Sequence, residues 1–326
     1  MISILNLEPK DYSPDARSLI VTIGKVCDGP LSRDELIQKI PGFDAIIVRL
    51  SHQIDEEIID SAKRLKVISS ATTGTNHINV DYAENKGIKV LSLKNETDFL
   101  LEIHATAEHT WALILSLIRK VPQAYQSVLK GEWDRESFKG RELHGATLGI
   151  VGLGRIGKKI AKYALAFGMK VVAYTKNSTN KYNHVQIVKT LESLLKLSDI
   201  ISIHVPLDSS TNKMFKLEQF FKMKKGALFI NTSRGEIVDE DALFTAIKQR
   251  HLSGAALDVI NQEVKLMQHG TSKAVEFAKN EDSLIITPHI GGATFESMEK
   301  TEIFMAKKLI DFLLKVKSNN TVGLRR

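Results

Sequence analysis

Residues 148–157 read Leu148-Gly149-Ile150-Val151-Gly152-Leu153-Gly154-Arg155-Ile156-Gly157, an apolar run that breaks into three glycines at the spacing G-x-G-x-x-G. The pattern predicts a strand, a tight turn and a helix start. In a turn that binds a dinucleotide, Gly152 serves the sharp bend, Gly154 the close approach of backbone to a pyrophosphate, and Gly157 the packing of helix on strand. The helix N-terminus then offers N–H groups to phosphate. The flanks agree. Lys158 to Phe167 places Ile160, Ala161, Ala164 and Phe167 at helical spacing, Gly168 ends the helix, and Lys170 to Tyr174 begins a second strand.

Working outward, apolar runs alternate with amphipathic ones along the chain. Ile2 to Leu7, Ala45 to Val48, Lys66 to Ser69 and Lys89 to Leu93 read as strands, with helices over 32–41 (a Ser32/Glu35 capping box), 55–65 and 79–85. Downstream of the glycine turn, 199–205, 227–231, 254–259 and 284–287 are strand-like. Alternation of this kind predicts parallel sheets covered by helices, with ligands at the carboxyl ends of the strands. Residues 98–120 carry a long helical pattern ended by Pro122, suited to bridging two lobes, and 294–315 read as a closing amphipathic helix.

A chain of 326 residues predicts two domains. Cys27 is the only cysteine, so no internal disulfide is available and a reducing compartment, the cytoplasm, is expected. Glu8, Pro9, Lys10 and Asp11 interrupt any secretory leader, and the run from Trp111 to Ile118 is too short for a membrane span. The formal charge of +7 comes from scattered lysines, so neither nucleic acid nor membrane is expected as a partner. A basic surface does attract anionic small molecules.

Three polar residues fall just beyond strand ends. Arg234 follows Asn231-Thr-Ser233 and offers a guanidinium fork for a carboxylate. His289, in Thr287-Pro-His-Ile-Gly-Gly292, is the residue type for moving a proton near neutral pH, and Glu263 could orient it.

The glycine turn, Asn231-Thr-Ser-Arg-Gly235, Ala255-Ala-Leu-Asp-Val259 with Glu263, and Thr287-Pro-His-Ile-Gly-Gly-Ala-Thr294 together resemble the NAD-dependent D-2-hydroxyacid dehydrogenases. Ala71 to Ile78 and Thr106 to Leu113 join that resemblance, which so covers nearly the whole chain. Its wording from Arg49 to Ile54 leans toward a short D-3-phosphoglycerate dehydrogenase without a regulatory domain. The resemblance implies two doubly wound parallel-sheet domains. A Rossmann nucleotide-binding domain (98–293) would be inserted into a flavodoxin-like substrate domain (1–97 plus 294–326), with homodimers formed through the former. It makes His289 the acid/base, Glu263 its partner and Arg234 the substrate clamp, with Arg49, Thr73 and Gly74 as further substrate contacts. Cofactor contacts would come from Gly152, Gly154, Arg155, Ile156, Gly157, Thr175, Lys176, His204, Pro206, Thr232, Ser233, Asp258, Gly291 and Gly292.

Departures from the family pattern bear on specificity. The acid expected for the adenine ribose is replaced by Thr175, followed by Lys176, Asn177 and Ser178, which keeps NAD ahead and leaves NADP or dual use open. Ser70 stands where phosphoglycerate-using relatives tend to carry an arginine, and Val264 replaces a frequent proline. Two other functions compete. Formate dehydrogenase pairs its histidine with an amide, against which Glu263 argues. A corepressor-like, NAD-sensing interaction protein would bind cofactor with little turnover.

Overall fold

The computed structural model describes residues 1–176, 182–263, 266 and 270–323. The chain divides into two compact units, Met1–Glu102 with Thr294–Arg326, and Ile103–Ala293.

The first unit is built on five parallel strands, β1 (Ile2–Asn6), β2 (Gly24–Asp28), β3 (Ala45–Val48), β4 (Val67–Ser70) and β5 (Lys89–Leu91), in the order β2-β1-β3-β4-β5. β3 and β4 are buried along their whole length, as strands covered on both faces must be. Ser32 and Glu35 form the expected capping box, while Asp55 and Asn79 cap the next two helices. The terminal helix Phe295–Gly323 packs on the Pro14–Val21 helix. It brings in a buried carboxylate, Glu302, which accepts from Ser13 N at 2.6 Å and from Arg49 Nη1 at 3.1 Å.

The second unit has seven parallel strands: β6 (Thr147–Val151), β7 (Lys170–Tyr174), β8 (Val185–Val188), β9 (Ile200–Ile203), β10 (Ala227–Asn231), β11 (Leu252–Leu257) and β12 (Leu284–Ile286). Their order is β12-β11-β10-β9-β6-β7-β8. The direction of winding reverses between β6 and β9, which opens a crevice at the ends of those two strands. Successive residues of β10 serve opposite faces. Phe229 packs with Phe215 and Phe220 on one side, and Ile230 joins Ile150 and Trp111 on the other.

The structure departs from the sequence reading in several places. The helical stretch after residue 97 is two helices, Thr97–Leu101 and Ala105–Ile118. Between them the carbonyl of Ile103 accepts from Arg155 Nη1, a side-chain partner in place of a continued helix ladder. The first helix belongs with the first unit, because Phe99 stacks on Phe304 and Lys308 pairs with Glu96, so the boundary falls after Glu102 rather than after residue 97. Pro122 opens a helix, Val121–Leu129, instead of closing one. The earlier helix ends at Ile118, Lys120 turns the chain with φ 52°, and a first-turn proline lacks only an N–H that no helix partner needs. β2, β8 and the Pro14–Val21 helix are additions to the sequence reading. Between Glu263 and His289 the described residues include a helix, Lys273–Asn280.

Candidate active site

The glycine turn follows β6 directly. Gly152 has φ 97°, a conformation open to glycine, and a Cβ there would lie 2.6 Å from the His204 carbonyl oxygen. A Cβ on Gly157 would lie 2.2 Å from the Gly152 carbonyl oxygen, so the helix and the turn touch through their backbones. A Cβ on Gly154 would meet nothing within 4 Å. The Arg155–Ala166 helix starts there with no side-chain cap, leaving a bare backbone cradle at a helix N-terminus of the kind a pyrophosphate requires. The residues present therefore fit a dinucleotide.

Around this turn the expected cofactor residues fall as follows. Burial pushes His204 down to about 3, so the ring is neutral; its Nε2 meets Ser202 Oγ at 2.9 Å and its Nδ1 is buried without a partner. The Pro206 carbonyl accepts from Thr211 Oγ1. At the end of β7, Lys176 Nζ reaches Ser210 Oγ at 2.5 Å and lies 4.0 Å from Asp208 Oδ2, so the nearest carboxylate here comes from the loop after β9. Asn177, Ser178 and Val264 lie outside the described residues.

The Arg234 loop is stapled by the side chain of Asn231, which donates to the Arg234 carbonyl at 2.8 Å and accepts from Ser233 N at 3.0 Å. Ser233 Oγ donates to the Ile203 carbonyl and Thr232 Oγ1 meets Thr110 Oγ1. Gly235 lets this loop lie against Ile260, whose carbonyl carbon and oxygen would be 2.2 Å from a Cβ there. The Arg234 guanidinium donates to the Ser233 carbonyl at 2.6 Å; burial pulls its pKa below the ordinary value while Glu263 and Glu236 oppose that.

Glu263 is oriented from the same place. Its Oε1 accepts from Ile260 N at 3.1 Å and its Oε2 faces His289 Nδ1 at 2.6 Å. His289 and Glu263 each keep about a fifth of their side-chain surface exposed. Thus Arg234, Glu263 and His289, distant in sequence, stand on the loops after β10, β11 and β12.

Asp258 was expected at the nicotinamide, yet both of its oxygens are taken by the chain. Oδ1 accepts from Thr287 Oγ1 (2.6 Å) and Ile290 N (2.9 Å), and Oδ2 from Gly291 N (2.7 Å). Desolvation raises its pKa, but hydrogen bonds from His109, Thr287 and Ile290 outweigh that and hold it low. His109 is the residue that sequence reasoning missed here; its signal is a polar position on an apolar helix. Gly292 is open, with nothing within 4 Å of a would-be Cβ.

In the first unit Arg49 is already well supplied with acceptors. Nη1 donates to Glu302, Nη2 to the carbonyls of Glu8 and Lys10, and Nε lies 3.6 Å from Glu8 Oε2. Thr73 and Gly74 sit in the loop after β4, where Thr72 Oγ1 donates to the Gly74 carbonyl at 2.7 Å.

Residues 111–291 match the family model of the D-isomer specific 2-hydroxyacid dehydrogenase NAD binding domain. The chain is 34% identical to D-3-phosphoglycerate dehydrogenase of Methanocaldococcus jannaschii over 99% of its own length, and spans only 60% of that protein. It is 37% identical to hydroxypyruvate reductase of Thermotoga maritima, covering 86% of this chain and 88% of the other. Among solved structures it is similar to D-lactate dehydrogenase from Aquifex aeolicus complexed with NAD and lactic acid. That match has a TM-score of 0.82 and 31% identity, over 96% of both chains.

Proposed function

The chain belongs to the D-isomer specific 2-hydroxyacid dehydrogenase family, and from that premise we propose that it moves a hydride between a nicotinamide cofactor and C2 of a D-2-hydroxy acid or its 2-oxo partner. The observation that carries this reading is the 2.6 Å contact of His289 Nδ1 with Glu263 Oε2, next to the loop that holds Arg234. With a carboxylate accepting at Nδ1, the hydrogen resides there and Nε2 is the nitrogen left to work. In reduction, protonated His289 gives its Nε2 proton to the carbonyl oxygen as that atom gains charge; in oxidation, neutral Nε2 takes the hydroxyl proton. Glu263 holds the ring in that tautomer and orientation. The Arg234 fork takes the substrate carboxylate and polarises the neighbouring carbonyl. Gly152–Gly157 would hold the nicotinamide cofactor, which when bound would supply a hydride in its reduced form or accept one in its oxidised form.

Cofactor binding is assigned to Ile103–Ala293, which also supplies Arg234, Glu263 and His289, and the remaining unit is assigned to the substrate through Thr73 and Gly74. Arg49 serves two carboxylates and two carbonyls, which favours an unphosphorylated acid the size of glyoxylate or hydroxypyruvate. A 3-phosphoglycerate substrate is the second reading, favoured by the 34% identity to a dehydrogenase of that name. Lys176 and Thr175 in place of an acid favour use of NADPH beside NADH. Two copies associate through the face bearing Val121, Tyr125, Val128, Leu129 and Trp133, each between 48% and 89% exposed. A lone cysteine suits the cytoplasm. No described helix is long and apolar enough to cross a membrane, and the partners assigned are small molecules rather than membrane or nucleic acid. An interaction protein of corepressor type is not favoured, since the relatives are named as dehydrogenases and reductases.

The test is nicotinamide absorbance against glyoxylate, hydroxypyruvate, pyruvate and 3-phosphohydroxypyruvate, with NADH and NADPH in parallel. Turnover of an unphosphorylated acid is expected. Preference for the phosphorylated one selects the second reading, and silence across the panel with tight cofactor binding overturns the enzyme.

A further inference from the structure

The Ala105–Ile118 helix buries Ala107, Trp111, Ile114 and Ile118, yet carries a polar stripe of Thr106, His109 and Thr110. Positions i, i+3 and i+4 share one face of a helix. This face meets the carboxyl ends of three strands. Thr110 Oγ1 lies 2.8 Å from Thr232 Oγ1, two residues before Arg234, and Thr106 Cγ2 lies 3.5 Å from where a Cβ of Gly291 would be. His109 Nε2 reaches Asp258 Oδ1 at 3.1 Å and Thr287 Oγ1 at 3.0 Å.

The roles in that cluster follow from its acceptors. Thr287 Oγ1 donates its one hydrogen to Asp258 Oδ1 at 2.6 Å, so toward His109 it is an acceptor, as is the carboxylate. His109 therefore carries its hydrogen on Nε2 and shares it between the two.

The carboxylate so anchored is the clamp on the loop of His289. Beyond the amides of Ile290 and Gly291 on its side chain, the Asp258 carbonyl accepts His289 N at 2.9 Å. His289 has φ 53°, a left-handed conformation that a histidine keeps only where its surroundings impose it. Gly291 must lack a Cβ for the clamp to close, because that atom would stand 2.8 Å from Asp258 Oδ2.

We propose that His109 is a positioning residue for the reaction: by fixing the Asp258 carboxylate and the Thr287 hydroxyl from the helix side, it sets the backbone of His289–Gly291 and so the aim of the His289 imidazole. The proposal rests on His289 being the acid/base. Without His109 the carboxylate retains two amides and a hydroxyl, so the loop persists but loses its lateral restraint. An error of about 1 Å in the placement of a reacting group costs on the order of 100-fold in rate. The turn at Gly152–Gly157 is untouched and Asp258 keeps its bonds to Thr287, Ile290 and Gly291, so most of the cofactor affinity stays.

The experiment compares the full chain with His109→Leu and His109→Gln, whose side-chain amide places a donor near the position of Nε2. Readouts are kcat, KM for the best 2-oxo acid, NADH affinity by fluorescence, thermal midpoint, and hydrogen exchange at the amides of Ile290 and Gly291. For His109→Leu, kcat falls by about 30–100-fold, NADH affinity stays within about two-fold of wild type, and both amides exchange faster; His109→Gln restores most of each loss. A His109→Leu enzyme within about three-fold of wild type overturns the proposal. So does a Gln variant no better than Leu, or a fall in kcat matched by equal falls in NADH affinity and thermal midpoint. If wild type reduces no acid on the panel, the assignment of His289 fails separately, and amide exchange alone decides whether His109 holds the clamp.

Discussion

Substituting alanine at Gly157 and at Gly154 separates two roles of one turn. The Cβ added at Gly157 starts 2.2 Å from the Gly152 carbonyl oxygen, and 3.2 Å from Ile150 Cγ2. Real contacts of that kind do not fall below 3.0 Å, so helix and turn must separate by about 1 Å. The obstacle is backbone, which cannot rotate aside. Overpacking of this sort costs about 1–3 kcal/mol, against a helix-propensity gain of at most about 1 kcal/mol. The net is a loss of up to about 2 kcal/mol after the full propensity gain, and NADH affinity falls about ten-fold as amide–phosphate distances lengthen. At Gly154 the Cβ meets nothing, so stability changes by no more than about 1 kcal/mol at this helix cap. That Cβ occupies the space a pyrophosphate needs, and NADH affinity falls at least about ten-fold all the same. Urea unfolding and NADH fluorescence titration measure both. Wild-type stability and binding in Gly157→Ala would refute the close-packing argument, and wild-type binding in Gly154→Ala would show that phosphate sits elsewhere.

His289→Ala is expected to lower kcat by at least about 1,000-fold, whereas Glu263→Gln, which can still accept at Nδ1, loses about 10–100-fold; equal losses would refute distinct roles. His204 titrates near 3 in the fold against about 6.5 when unfolded, so its neutral form is the one the fold accepts. Its contribution is complete above about pH 6.5 and lost as pH falls toward 3. From pH 7 to 5 wild type should lose about 2 kcal/mol by urea unfolding that His204→Gln does not, and parallel losses would dismiss the effect. The double substitution Tyr125→Lys, Trp133→Glu should convert a dimer into a monomer in light scattering without lowering the thermal midpoint of the monomeric unit. A monomeric wild type removes that interface.

What the sequence discloses depends on where its signals are local. The glycine turn is readable because strand, turn and helix occupy consecutive residues, and the Ser32–Glu35 cap for the same reason. β2 and β8 escape because both lie at sheet edges with half-exposed residues and weak apolar alternation. Pro122 misleads because a proline ends one helix and begins another with equal chemistry. The triad Arg234, Glu263 and His289 was nameable by chemistry and resemblance, but the His109–Asp258 contact spans 149 residues, and only strand order brings it together. Arg49 was legible as a cation and not as one already held by Glu302, which returns on the last helix.

That last helix has a consequence for how the chain is made. Ser13 and Arg49 are synthesised before the whole of Ile103–Ala293, and their buried partner Glu302 after it. All of Ile103–Ala293 must leave the ribosome first, so the inserted unit can fold while the first sheet still lacks its closing helix. Until then the Pro14–Val21 helix shows the surface meant for Phe295–Gly323. A nascent chain stalled before Thr294 would therefore hold a finished cofactor unit beside an unfinished one, with an apolar helix face for chaperones to cover.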